Sequence, residues 1–504
     1  MRFYRFLMLA VLPLVAAAAS EMPITHVIPD FAQVVRWNDS NGDTADPFWA
    51  DDGRLYQFMC DGRGFGTERR NLCFNRLDGE VLTDLRGSLV NAMDYGKADE
   101  LGKDGATWKV CGSECIDGVF LAFVARNVYG KWSKDPLTRQ TSRNASLIAS
   151  TDRGLTWKRS ATENYDAPMW PGGRFGAPAF VHYGQNGGQI TRDRAQEYVY
   201  AISNNGFWNE GDDLIIGRCK RAVIARLDAK DWTYLQGTDG ADDAAWTADL
   251  AQARPILSNP ARLSWGAPTY VPSLGRYLMT TWHCEPHLKA WFAPQQIVYE
   301  CLEAPHPWGP WTPVGSWNDD VLNGGHMYGP NLCAKYQEGA DGRATVWLFT
   351  SGCPFKDGPG GLYKMWAYPL RVATGPVPTV TTINDSDPQV TYTGTWRIWT
   401  PKRRSLGDDL HASGNVGDTA EISFTGTGIT ILGERYQDLG TFAVEIDGVA
   451  QGEVSQASPQ DYPRVVRIPI YRSASLPSGP HTLRLVNRSK TTILIDGFEV
   501  TGQR

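Results

Sequence analysis

Asn41-Gly42-Asp43-Thr44-Ala45-Asp46-Pro47-Phe48-Trp49-Ala50-Asp51-Asp52-Gly53-Arg54-Leu55-Tyr56-Gln57-Phe58-Met59-Cys60-Asp61-Gly62 has the pattern of two antiparallel strands joined at Asp51-Asp52-Gly53. A Pro-marked approach, Asp46 to Trp49, leads into the apolar run Leu55 to Met59. Comparable runs recur at Val119 to Val124, Tyr198 to Ile202, Tyr277 to Thr281 and Val346 to Thr350. Three of these also follow Pro-containing approaches, at Ala177-Pro178, Ala267-Pro268 and Gly329-Pro330. The repeat is therefore a supersecondary unit of strands, with a spacing of roughly 50 to 90 residues once long loops are allowed for.

Helical periodicity is scarce, and 52 Gly, 31 Pro and 19 Trp place the chain in the all-β class. Five units predict a five-bladed β-propeller over about residues 30–373, because small radial sheets bury many bulky residues while keeping exposed edges short. A single barrel or sandwich is the competing arrangement. Gly375-Pro376-Val377-Pro378 and Asn384-Asp385-Ser386-Asp387-Pro388 read as a linker, 374–395, before a β-sandwich (jelly-roll-like) domain over 396–504.

The N-terminus reads as a signal peptide, 1–20: Arg2 and Arg5 precede the apolar Phe6 to Val15 and the small residues Ala16 to Ser20. A secreted, extracellular and monomeric protein is expected, with no membrane partner, since no later stretch reaches the ~20 apolar residues of a membrane helix. A net charge of −6 without a basic block argues against nucleic acid. Export makes disulfides the default for the nine cysteines. The spacings 60/73, 111/115, 284/301 and 333/353 favour local pairs, leaving Cys219 over; zinc at Cys111 and Cys115 is the weaker alternative. Sequons at Asn38, Asn144, Asn384 and Asn487 make the chain a glycoprotein if its source is eukaryotic.

The run Ser150-Thr151-Asp152-Arg153-Gly154-Leu155-Thr156-Trp157 resembles the Asp-box hairpin of sialidase-like propellers. Its physics is structural: Asp152 caps its own turn, Gly154 takes positive φ and Trp157 packs between strands, so Asp152 is no catalytic candidate.

An antiparallel hairpin sets the start of its first strand beside the end of its second, so Asp43 or Asp46 should meet Asp61 at one mouth of the propeller. Two facing carboxylates are the machinery of glycoside hydrolysis, one protonated to release the leaving oxygen and one ionised to activate water or attack the sugar. The competing reading is that these residues cap turns. Further substrate-binding candidates around the funnel are Trp49, Glu114, Arg174, Asn205, His283, Glu285 and Tyr328, with Glu114 and Glu285 next in order as the general acid. No serine-hydrolase elbow, metalloprotease helix, phosphate loop or dinucleotide fingerprint occurs. No cofactor is called for, although the many carboxylates leave room for a structural calcium.

Gly42-Asp43-Thr44, Trp49 to Tyr56 and Asp61-Gly62 resemble the opening of a family of secreted five-bladed propellers, long of unknown function, that includes endo-acting arabinan hydrolases. The likeness continues through Tyr198-Val199-Tyr200, Arg221 to Leu227 and Pro307 to Trp311. It implies catalytic roles for Asp43 and Asp61; Ala45 and Asp46 depart from the family pattern, which bears on the role of Asp46 and on the substrate. Thr425 to Ile429, Glu445 to Gly448, Gly479 to Leu483 and Ile495 to Phe498 resemble a galactose-binding-like sandwich module. The implied function is a secreted glycoside hydrolase acting on a polysaccharide, with arabinofuranosyl polymers among the candidates. The alternatives are a noncatalytic lectin or adhesion propeller and a polysaccharide lyase.

Overall fold

The computed structural model describes residues 22–93, 107–128, 141–160, 168–188, 192–238, 244–284, 297–318, 322, 327–352, 363–375, 379–402, 405–458 and 464–502. The predicted signal peptide lies outside the described residues. The chain is almost wholly β, arranged as a five-bladed propeller followed by a β-sandwich.

From the axis outward, blade 1 consists of Asn41–Asp43 with Phe48–Trp49, then Leu55–Gly64, Arg70–Asp78 and Arg86–Ala92. Blade 2 is Thr107–Ile116, Val119–Val128, Thr141–Ser150 and Lys158–Arg159. Blade 3 begins with Ala177–Phe180, Tyr198–Asn204 and Gly211–Lys220, and blade 4 with Thr269–Val271, Arg276–Cys284 and Ile297–Ala304. Blade 5 runs from Tyr328–Leu332 through Arg343–Ser351 to Met365–Thr374, and its outermost strand is Ile24–Pro29 from the start of the chain.

Hydrogen bonds between innermost strands close the ring. Ser113 of blade 2 donates its N–H to Asp46 of blade 1, and Glu114 meets His182 of blade 3. His182 donates its N–H to the Pro268 carbonyl of blade 4, Thr269 donates to Leu332 of blade 5, and Asn331 donates to Ala45 of blade 1. The Pro-marked approaches are innermost strands: one edge of such a strand faces the axis rather than a neighbour, so a residue without an N–H costs no ladder bond there. Apolar clusters fill the spaces between neighbouring blades, for example Phe48, Tyr56, Phe58, Phe74, Trp108 and Phe120 between blades 1 and 2. The Asp-box hairpin joins the outer strands of blade 2. Asp152 accepts from the Thr156 N–H at 2.9 Å and hydroxyl at 2.6 Å, and Trp157 packs on Phe58 and Phe74 of blade 1.

The stretch 374–395 is not simply a linker. Thr379–Asn384 pairs with the C-terminal strand Gly497–Gly502, and Val390–Thr393 pairs with Thr419–Gly426, so both belong to the sandwich. Buried and outward residues alternate along Thr419–Gly426, the period-2 pattern of a sheet with one face in the core.

The cysteine expectations also need correction. Cys60, Cys73, Cys111, Cys115, Cys219, Cys301 and Cys333 are buried free thiols. Cys60 opposes Leu72 while Cys73 opposes Met59, which puts the two sulfurs on opposite faces of the sheet. Cys111 and Cys115 lie four apart on one strand, roughly 13 Å at ~3.3 Å per residue, beyond disulfide reach. Cys353 and the Cys284 side chain lie outside the described residues. No group of three or more His, Cys, Asp or Glu suited to a metal occurs among the described residues. The Asn487 sequon is fully buried and its amide donates to Ser413, which closes it to a glycan in the folded chain.

Candidate active site

Asp43 ends the first innermost strand and stands opposite Cys60, one residue from Asp61. Two glycines permit this approach. A Cβ on Gly62 would lie 2.2 Å from the Asn41 carbonyl, and one on Gly42, where φ is +131°, would lie 2.8 Å from that of Cys60. Asp61 itself takes φ +51°, a left-handed conformation uncommon for a side-chain-bearing residue, within a strand irregularity between Asn41 and Asp43.

The two carboxyls have unlike surroundings. Asp43 is buried, and its Oδ2 accepts from the Tyr328 hydroxyl at 2.5 Å and the Tyr363 hydroxyl at 3.1 Å. Its Oδ1 is buried with no hydrogen-bond partner among the described residues, unusual for a native polar atom. Burial first, and then the neighbouring Asp61 charge, push the Asp43 carboxyl up to about 6 against the opposing pull of Lys109 and the two tyrosines. Asp61, a quarter exposed, forms an ion pair with Lys109. Asp43 is thereby able to hold a proton near neutrality beside a carboxylate that has a cation of its own.

Asp46 does not join this pair. Thr44, at φ +61°, turns the chain, and three residues beyond Asp43 the Asp46 carboxylate lies against His182 Nε2 at 3.2 Å. Glu114 takes the other ring nitrogen at 2.7 Å, and all three side chains are buried. Burial alone would lower the His182 pKa, but the Glu114 and Asp46 carboxylates outweigh it and raise it to about 10, whereas burial raises Glu114. Asp46, His182 and Glu114 thus form a buried clasp inside the ring.

The remaining predicted residues separate. Tyr328 belongs to the Asp43 site. Trp49 lies at the opposite end of the hairpin, paired with Leu55, roughly 20 Å along the strand from Asp61 and beneath Lys335. Arg174 donates to the Ala253 carbonyl, and Asn205 locks a turn by exchanging bonds with Asp212, so both are occupied within the fold. His283 is buried at the mouth-side end of blade 4, next to Arg262 at 3.2 Å, and its pKa falls to about 4 through burial and the Arg262 charge. Glu285 lies outside the described residues.

Lys109, Tyr363, Asn71 and His182 were missed. For Lys109 a signal existed: a lone lysine in the otherwise apolar strand Trp108-Lys109-Val110-Cys111 must be buried or face a partner.

No protein-family model matches the chain. Two curated proteins of Flavonifractor plautii match short stretches. One is an A type blood N-acetyl-α-D-galactosamine deacetylase, 27% identical over 128 residues, 25% of this chain. The other is an A type blood α-D-galactosamine galactosaminidase, 32% identical over 113 residues, 22% of this chain. The chain spans 16% and 10% of the lengths of these relatives. Among solved structures, the chain is similar to an exo-β-1,3-galactanase of Phanerochaete chrysosporium, 11% identical, TM-score 0.37, covering 94% of this chain and 100% of that one. It is also similar to a glycoside hydrolase family 43 arabinoxylan arabinofuranohydrolase of Bacillus subtilis, 13% identical, TM-score 0.32, covering 92% and 96%.

Proposed function

We propose that the propeller is a glycoside hydrolase whose reaction is carried by Asp43 and Asp61. The observation that supports this is the unlike pair itself: a buried carboxyl raised to about 6, with one oxygen unpartnered among the described residues, next to a partly exposed carboxylate held by a lysine. Glycosidic cleavage needs that asymmetry. Protonated Asp43 donates to the leaving oxygen as the bond breaks, and Asp61 takes a proton from the incoming water or attacks the anomeric carbon. Tyr328 and Tyr363 orient Asp43 and stabilise its charge once the proton has left.

The substrate in this reading is a polysaccharide, with arabinofuranosyl polymers first among candidates because the leading hairpin carries the likeness to arabinan hydrolases. The leader sequence would place the enzyme outside the cell, and the sandwich would hold it on the polymer and raise the local concentration of scissile bonds.

The test is to incubate the full chain with arabinans, galactans, xylans and sialylated glycans and to measure new reducing ends. Release from at least one, lost in Asp43→Asn and Asp61→Asn while binding persists, is the expected result. Binding without release from any polymer would make the propeller a lectin, and release with an unsaturated product end would make it a lyase.

A further inference from the structure

Lys109 is almost completely buried, a costly place for an ammonium unless its charge is met. It stands on the innermost strand of blade 2, but its Nζ reaches across to blade 1, where it pairs with Asp61 and donates to Asn71 Oδ1 at 3.0 Å. The Asn71 amide nitrogen donates to the Trp108 carbonyl at 2.6 Å, which fixes the amide so that its oxygen faces Lys109. The cation is therefore anchored on the Asp61 side of the pair, while two neutral phenols hold Asp43.

Resting on the hydrolase reading for its functional consequence, we infer that Lys109 is a positioning residue that assigns the proton of the carboxyl pair, fixing negative charge on Asp61 and leaving Asp43 as proton carrier. Two facing carboxyls with like surroundings would share one proton between them, and neither would be a committed acid. Lys109 breaks that symmetry through its placement. Among the described residues, the thiol and phenols facing Asp43 do not compete for the proton near neutrality. Burial pushes the Cys60 thiol up to about 12 and the Tyr363 phenol well above its ordinary range, and Tyr328 is engaged as a donor to Asp43. Asp61 raises and Lys109 lowers the Asp43 carboxyl, so removing the lysine leaves the repulsion unopposed.

The test follows the carboxyl carbons of 13C-aspartate-labelled full-length protein by NMR across a pH titration, with Asp43→Asn and Asp61→Asn assigning the two signals. In the wild type, the Asp43 signal changes in a step near 6. In Lys109→Met both signals move in one common step, displaced upward by about 1 pH unit or more. Lys109→Arg, which keeps the charge, restores the wild-type pattern. An Asp43 step that stays in place in Lys109→Met, with Asp61 unmoved, overturns the inference. If Lys109→Met does not fold, Asp61→Asn and the double variant Asp61→Asn/Lys109→Met replace it, since the double variant leaves no unpaired buried ammonium. The Asp43 step should fall in the single variant and rise again in the double, and equal steps would overturn the assignment. No substrate is needed, so a protein that shows the predicted titration yet cleaves nothing refutes the hydrolase reading alone.

Discussion

At Asp43 the demands of the proposed chemistry and of folding oppose each other. A carboxyl whose folded pKa is raised from 3.8 to about 6 binds its proton more tightly in the native state, so its cost to stability is absent below 3.8 and fully present above about 6. The corresponding upper limit is roughly 3 kcal/mol. Asp43→Asn should therefore lower turnover by about 10²- to 10⁴-fold and yet raise Tm near pH 7, with the gap closing below pH 4. Thermal melts of both proteins across pH check this; a variant less stable than wild type at every pH would refute it. That Asp43 and Asp61 lie side by side was legible in the sequence because they bracket one hairpin, whose pairing follows from local pattern alone. Lys109 and Tyr363 join them from other blades, and no local signal sets their register against blade 1. The misplacement of Asp46 comes from Thr44, whose positive φ breaks the alternation between Asp43 and Asp46.

Among the elements, the leading hairpin works because two strands come closer than side chains normally allow. Gly62→Ala places a methyl against the Asn41 backbone, which cannot yield as a flexible side chain would. A loss of about 1–3 kcal/mol in denaturant melts is expected, accompanied by reduced activity as Asp61 is displaced from Asp43. Unchanged stability and activity would show that the close approach is not required. The innermost strands were visible through their prolines, with blade 2, which lacks one, located only from its second strand near Val119. The expected linker was misread because its Pro and Asn-Asp clusters mark turns flanking Thr379–Asn384 and Val390–Thr393, and turn residues do not reveal what they flank.

For the whole molecule, ring closure is the controlling feature, and two devices secure it. The first is the clasp of Asp46, His182 and Glu114. With its folded pKa raised from 6.5 to about 10, His182 stabilises the fold fully below 6.5, and that contribution is lost as pH rises through 10. His182→Ala leaves two buried carboxyls without their cation and should cost about 3–5 kcal/mol near pH 7, with the difference from wild type narrowing above pH 10. Equal denaturant midpoints at neutral pH would contradict this. The second device is the N-terminal strand Ile24–Pro29, which completes blade 5 beside Met365–Thr374. Deleting residues 22–36 should turn a single cooperative unfolding transition into a broad one, followed by circular dichroism; a sharp, undisplaced transition would show that the ring closes without it. The number of blades was legible from repeated strand runs, whereas the use of the chain start to finish the last blade was not, because that pairing spans almost the whole propeller sequence.

The most direct measurement is a crystal structure of Asp43→Asn bound to an oligosaccharide that the wild-type protein cleaves. A glycosidic oxygen within about 3 Å of the residue 43 amide, with Asp61 facing the anomeric carbon or its attacking water, is the predicted arrangement. A sugar seated away from both residues, on another face of the propeller, would contradict it.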